Sequence, residues 1–263
     1  MQTTAFINEH LPHVLTNVVI QYLTPAKDDK KTAYCHTGFY EMCKSWKYSL
    51  YEACEGGYIH IIDLKIAKGA SDWNWGLRGA CKGGHIDAIN LMIAKGANDL
   101  EWGLRCACQG GHIDAINVLI ANGADNWNNG LKSACKGGHI NAINLMVSKG
   151  ANRWNYGLHG ACEGGHMNII DLMIEKGASD WNYGLRGACK GGHMDIIHLM
   201  IAKGADDWNG GLSGTCGNDR FDIAKLMIEK GADNCACDNS MEDHLDDPED
   251  SEDSEDSENS EDL

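Results

Sequence analysis

The sequence predicts an all-α helical solenoid, and three observations predict it. A 27-residue pattern recurs seven times without an insertion. Each copy holds two segments whose apolar residues recur at helical spacing. Glycines punctuate those segments at nearly constant places. Strict self-similarity at such a period marks a stack of small units, none with enough core to fold alone.

The pattern Gly-Leu-x-x-Ala-Cys-x-Gly-Gly-His begins at Gly76, Gly103, Gly130, Gly157 and Gly184, with looser copies from Ser49 and Gly211. Residues 74–98 show one unit. A short first helix is expected after an N-cap at Asn74, because an Asn side chain can accept an orphan backbone N–H. Asn128, Asn155, Asn182 and Asn209 are its equivalents. Leu77, Ala80 and Cys81 fall at core spacing, and Gly83-Gly84 ends the helix. A second helix is expected from about His85 to Lys95, with Ile86, Ile89, Met92 and Ile93 on its apolar face. Gly96 suits the left-handed position after a helix. Lys95 suits the negative end of the helix dipole.

The segment from Gly84-His85-Ile86-Asp87 through Lys95-Gly96-Ala97 resembles the second half of an ankyrin repeat, and Leu77 to Cys81 resembles its first helix. The resemblance spans residues 49–234. Ankyrin repeats commonly run to 33 residues, so six are missing per unit. The gap falls where the family places a hairpin finger, and the usual Thr-Pro is absent. Helix pairs joined by tight turns are therefore expected. This shortened form is similar to ankyrin proteins encoded in multiple copies by large DNA viruses of eukaryotes. The resemblance implies a non-enzymatic protein-binding scaffold without cofactor, acting as a monomer.

Residues 1–48 lie outside the repeat. Leu11, Pro12, Leu15, Val19, Leu23 and Pro25 resemble the opening of an F-box, and Met42 to Trp46 its closing helix. That resemblance implies docking on Skp1 of a cullin–RING ubiquitin ligase. The other reading is a plain helical cap on the exposed end of the stack. Trp46 lies 27 residues before Trp73 and fits the repeat's own connection. Both readings stand at this point.

The formal charge is −16, but residues 239–263 hold 13 acidic side chains and no Lys or Arg, leaving −3 for the rest. Residues 235–263 are expected to be a disordered acidic tail, since they bury too little apolar surface to offset ordering entropy. Ser240, Ser251, Ser254, Ser257 and Ser260 lie among acids and suit an acidophilic kinase. No basic stretch and apolar run opens the chain, and Leu11–Leu23 is too short and polar to cross a bilayer. An intracellular protein, cytoplasmic or nuclear, is expected.

Seven of the 12 cysteines fall on the repeat. Pairs such as Cys81/His85 and Cys135/His139 have the residue types of a metal or thiol site. Their repetition on the core face instead predicts buried, inert thiols. Trp73, Trp127, Trp154, Trp181 and Trp208 share one phase and are expected to be buried plugs.

A second aromatic phase varies from copy to copy, reading Trp75, Trp102, Asn129, Tyr156, Tyr183, Gly210. Three residues on come Arg78, Arg105, Lys132, His159, Arg186, Ser213. Positions that vary inside a strict repeat are those that stacking does not fix. Aromatic and Arg side chains concentrate binding energy at interfaces. Trp75, Arg78, Trp102, Arg105, Lys132, Tyr156, Tyr183 and Arg186 are thus expected to form a partner-binding ribbon. Single-stranded nucleic acid would suit aromatics interleaved with cations, but the chain has no domain-wide basic excess, so a nucleic-acid partner is not expected.

Overall fold

The computed structural model describes residues 49–216 and 220–233. The F-box-like residues and the acidic tail lie outside them. The described residues hold fourteen α-helices and no strand. They fall into two compact units that divide between Asp99 and Leu100. The first contains α1 (Leu50–Glu55), α2 (Ile59–Ala67), α3 (Trp73–Gly83) and α4 (Ile86–Ala94). The second begins with α5 (Leu100–Gly110), α6 (Ile113–Ala121), α7 (Trp127–Gly137), α8 (Ile140–Ser148) and α9 (Trp154–Gly164). It continues with α10 (Met167–Glu175), α11 (Trp181–Gly191), α12 (Met194–Ala202), α13 (Trp208–Gly214) and α14 (Phe221–Lys230). Each unit is a run of helix pairs joined by tight turns, as the missing finger requires.

The first helix of a pair is not the shorter one: α3 to α11 alternate between 11 residues for first helices and 9 for second helices. The extra length comes from the start, where the expected N-caps are corrected. Helix α3 starts at Trp73 with Asp72 as N-cap, so Asn74 is already helical. Its side-chain oxygen instead accepts from the backbone N–H of Asn98 and Asp99, at 2.8 and 3.1 Å. Asn128, Asn155 and Asn182 hold the next connection in the same way. In α5 the slot is Glu101, whose carboxylate accepts from Asp125 and Asn126. The caps of α7, α11 and α13 are Asn126, Asp180 and Asp207, each accepting from the backbone N–H three residues on.

Within the second unit consecutive first helices pack on one another, α5 on α7, α7 on α9, α9 on α11 and α11 on α13. Leu104, Leu131, Leu158 and Leu185 are fully buried, with an Ala and a Cys three and four residues on. Burying one such leucine stabilises the fold by about 1.5–3 kcal/mol. Glycines set how closely the helices approach. A Cβ at Gly164 would stand 2.1 Å from the Lys136 carbonyl oxygen of the preceding first helix. A Cβ at Gly157 would stand 2.3 Å from the Met173 sulfur. Met173 thus lies over the glycine of its own repeat, and its Sδ meets the Cys135 thiol of the preceding one at 3.9 Å. Cys162 with Met200, and Cys189 with Met227, repeat that contact at 4.0 Å.

The turn between paired helices is a second lock. Gly165 takes φ +81°, and a Cβ there would be 2.5 Å from the His193 ring of the following repeat. His193 Nε2 donates to the Glu163 carbonyl at 3.2 Å, and His166 donates likewise to Lys136 at 3.1 Å. The imidazoles therefore tie one repeat to the turn of the one before.

Replacing Gly164 by Ala is expected to lower stability by about 1–3 kcal/mol, because backbone must move. Gly150 has φ +111° but open space around it. Its Ala variant bears only backbone strain, about 1 kcal/mol. Thermal unfolding of the two variants checks the order.

Candidate functional site

On each first helix, positions three, six and ten lie away from the glycine-lined core and form one stripe, since residues three and four apart share a helix face. In the second unit the stripe runs through Trp102 and Arg105 on α5, Lys132 and Lys136 on α7, Tyr156, His159 and Glu163 on α9, and Tyr183, Arg186 and Lys190 on α11. The first unit carries Tyr51 and Glu55 on α1 and Trp75, Arg78 and Lys82 on α3.

Six of the eight expected ribbon residues lie in the second unit, and three of these meet directly. Lys132 Nζ donates to the Tyr183 hydroxyl at 3.1 Å. The same ammonium stands 5.9 Å from the Tyr156 ring centre and 5.5 Å from that of Tyr183. The two tyrosine rings are 5.9 Å apart. One repeat away, Arg105 stacks on Trp102 at 4.3 Å. Its Nη1 is buried without a hydrogen-bond partner. Arg186 is exposed. In the first unit Arg78 lies 5.1 Å from the Trp75 ring and pairs with Asp99. Trp75 is 57% exposed, and Tyr51 meets it edge-on at 5.8 Å.

The structure adds residues the ribbon expectation left out. Lys136 and Lys190 both reach the Glu163 carboxylate, at 2.7 and 3.5 Å. They stand four residues beyond the Arg/Lys phase, in a column that also varies: Glu55, Lys82, Gln109, Lys136, Glu163, Lys190. That variation was the available signal. His159 is buried and packs on Tyr183 at 4.3 Å. Burial, and then Lys132, Lys190, Arg186 and Lys136, hold its imidazole well below the ordinary histidine range. It is therefore neutral, and its 3.9 Å approach to Glu163 is not an ion pair.

The cysteines lie on the opposite face. Burial pushes the thiols of Cys54, Cys108, Cys135, Cys162 and Cys189 up to about 12. Among the described residues no three His, Cys, Asp or Glu side chains converge as a metal site would require. The tryptophans expected as buried plugs are only half-buried. Lys203 stands 5.1 Å from the Trp181 ring, and Lys176 and Lys230 take the same place over Trp154 and Trp208 at 6.0 Å. The rings cover the connections while a lysine stem and charge cover the rings.

Residues 104–184 match the family model of ankyrin repeats in three copies. That stretch is therefore made of ankyrin repeats, a module of protein–protein interaction. Among solved structures, the chain is similar to the human ASB11 ankyrin repeat domain. The likeness has 19% identity, covers 72% of this chain and all of that one, and gives a TM-score of 0.41. No curated protein matches. No helix among the described residues is long and apolar enough to cross a membrane.

Two outcomes are expected. At pH 8 a thiol of pKa about 12 is thiolate in about one molecule in ten thousand. Cys108, Cys135, Cys162 and Cys189 should thus resist iodoacetamide in the native protein and react on unfolding, as read by mass spectrometry. Their contribution to stability is complete below pH 9, where the unfolded thiol is still protonated, and is lost as pH rises towards 12. His159 acts in the other direction. Its neutral form belongs to the fold, so stability should fall as pH drops below 6.5, and fall less in His159→Gln, as read from thermal unfolding across pH 4–7.

Proposed function

We propose that the chain is a non-enzymatic scaffold that binds a protein partner along the first-helix stripe of its second unit. Tyr156, Tyr183 and Lys132 form the centre of that surface, and Trp102, Arg105 and Arg186 flank it. The observation that carries this reading is the pairing of a strict packing face with a variable aromatic and cationic face on the same helices. Trp75 and Arg78 present the same chemistry in the first unit.

A finer reading adds residues 1–48, which lie outside the described residues. Leu11, Pro12, Leu15, Val19, Leu23 and Pro25 are the F-box-like pattern that favours it. The chain is then a substrate adaptor, of the kind large DNA viruses encode, which holds a host protein for a cullin–RING ligase in the host cytoplasm. A binding or decoy module without ubiquitin chemistry is the simpler form.

Replacing Tyr156 and Tyr183 by Ala in the full chain should reduce capture of its partner at least tenfold, since such side chains concentrate binding energy. Unchanged capture in a quantitative pull-down would remove the ribbon reading. Purified Skp1 separates the finer reading. The adaptor predicts binding to the full chain and loss on replacing Leu11 and Leu15 by Ser, whereas a plain cap predicts no binding to either.

A further inference from the structure

We infer that the partner surface of the second unit is built for an acidic, extended peptide segment. This rests on the reading of the stripe as a docking face and names the chemistry of what docks. Charge divides unevenly between the two helix layers. The first helices α5 to α13 carry five Lys or Arg against two Glu. The second helices α6 to α14 carry six carboxylates against two Lys, and five Lys once the C-caps Lys149, Lys176 and Lys203 are counted. The first-helix layer thus has a cationic excess that the second-helix layer lacks.

The division sharpens on the stripe itself. Glu101 lies off it, at the start of α5, where its carboxylate serves the Asp125 and Asn126 amides. The stripe then holds Arg105, Lys132, Lys136, Arg186 and Lys190 against Glu163 alone. Glu163 already shows how a carboxylate is received here, clasped from two neighbouring helices by Lys136 and Lys190. Its side chain is only 7% exposed, so it neutralises part of the surface from beneath. An ammonium has three donors, so the contact to Glu163 does not exhaust Lys136. Successive first helices lie about 8–10 Å apart, so Arg105 on α5 and Lys132 on α7 are one step apart, whereas Lys132 and Arg186 are two, because α9 carries no Lys or Arg. An extended peptide rises about 3.3 Å per residue, so carboxylates about three and then about six residues apart match those steps. Tyr156 and Tyr183 supply apolar area between the cations. A basic ligand would meet like charge, and its rejection sets specificity.

The test uses the full chain with the 13 acids of residues 239–263 changed to Asn or Gln, so that no acids of its own compete. The probes are fluorescent 15-residue peptides with Asp or Glu at every third position, an amide-matched version and a Lys version. Fluorescence anisotropy at about 0.05 M salt should show the acidic peptide binding at least tenfold more tightly than its amide match. The preference should disappear at about 0.5 M salt, where screening is strong, and in K132E/R186E. Equal binding of acidic and amide peptides, or preference for the Lys peptide, would overturn it. If that occurs while Tyr156 and Tyr183 remain necessary for partner capture, the acidic assignment falls and the docking face stands.

Discussion

The structure depends on the close packing of consecutive helices, and that packing depends on the absence of side-chain atoms at Gly157, Gly160 and Gly164 and their equivalents. Gly164 lets the Lys136 carbonyl come where a Cβ would stand, and Gly157 leaves room for the Met173 thioether. The same thioether reaches the Cys135 thiol of the neighbouring repeat. Sulfur is polarizable and methionine adaptable, so this contact fills the seam without demanding one rotamer. The His193 ring closes the far end of the seam on Gly165. Each repeat is thus fastened to its neighbour at a seam and at a turn.

Function follows from what that packing leaves over. Positions four, five, eight, nine and eleven are committed to packing, whereas positions three, six and ten take different residues from repeat to repeat. They can vary without disturbing the fold, and they do. Aromatics and cations occupy most of them, and Lys132 bridges two tyrosines that come from different repeats. Cys108, Cys135, Cys162 and Cys189, by contrast, are held protonated by burial and pack as small apolar groups. Repetition that could have looked like an array of chemical sites is a repetition of packing.

The fold was legible because it is written in residues whose role is local and periodic. Leu77, Cys81, Gly84 and Gly96 can each be placed from spacing alone. Asn74 could not, because cap preference is judged within one turn while its real partners, the Asn98 and Asp99 amides, lie 24 and 25 residues ahead. The half-exposed tryptophans were misread for a similar reason. Hydrophobicity suggests burial, but the lysine at the end of each second helix covers Trp181 and its equivalents from outside. Within the candidate site the aromatic and Arg/Lys phases were readable as variable columns. Lys136, Glu163 and Lys190 were missed although their column varies as the other two do and lies four residues on, on the same helix face.

The central claim is that the variable stripe of the first helices is the face that meets a partner. Lysine acetylation footprinting of the full chain, alone and with its captured partner, tests it most directly. The account predicts that Lys132, Lys136 and Lys190 lose reactivity on binding while Lys149, Lys176 and Lys203, at the ends of the second helices, keep theirs. Protection of Lys149, Lys176 and Lys203 with the stripe lysines unchanged would place the partner on the other face and contradict it.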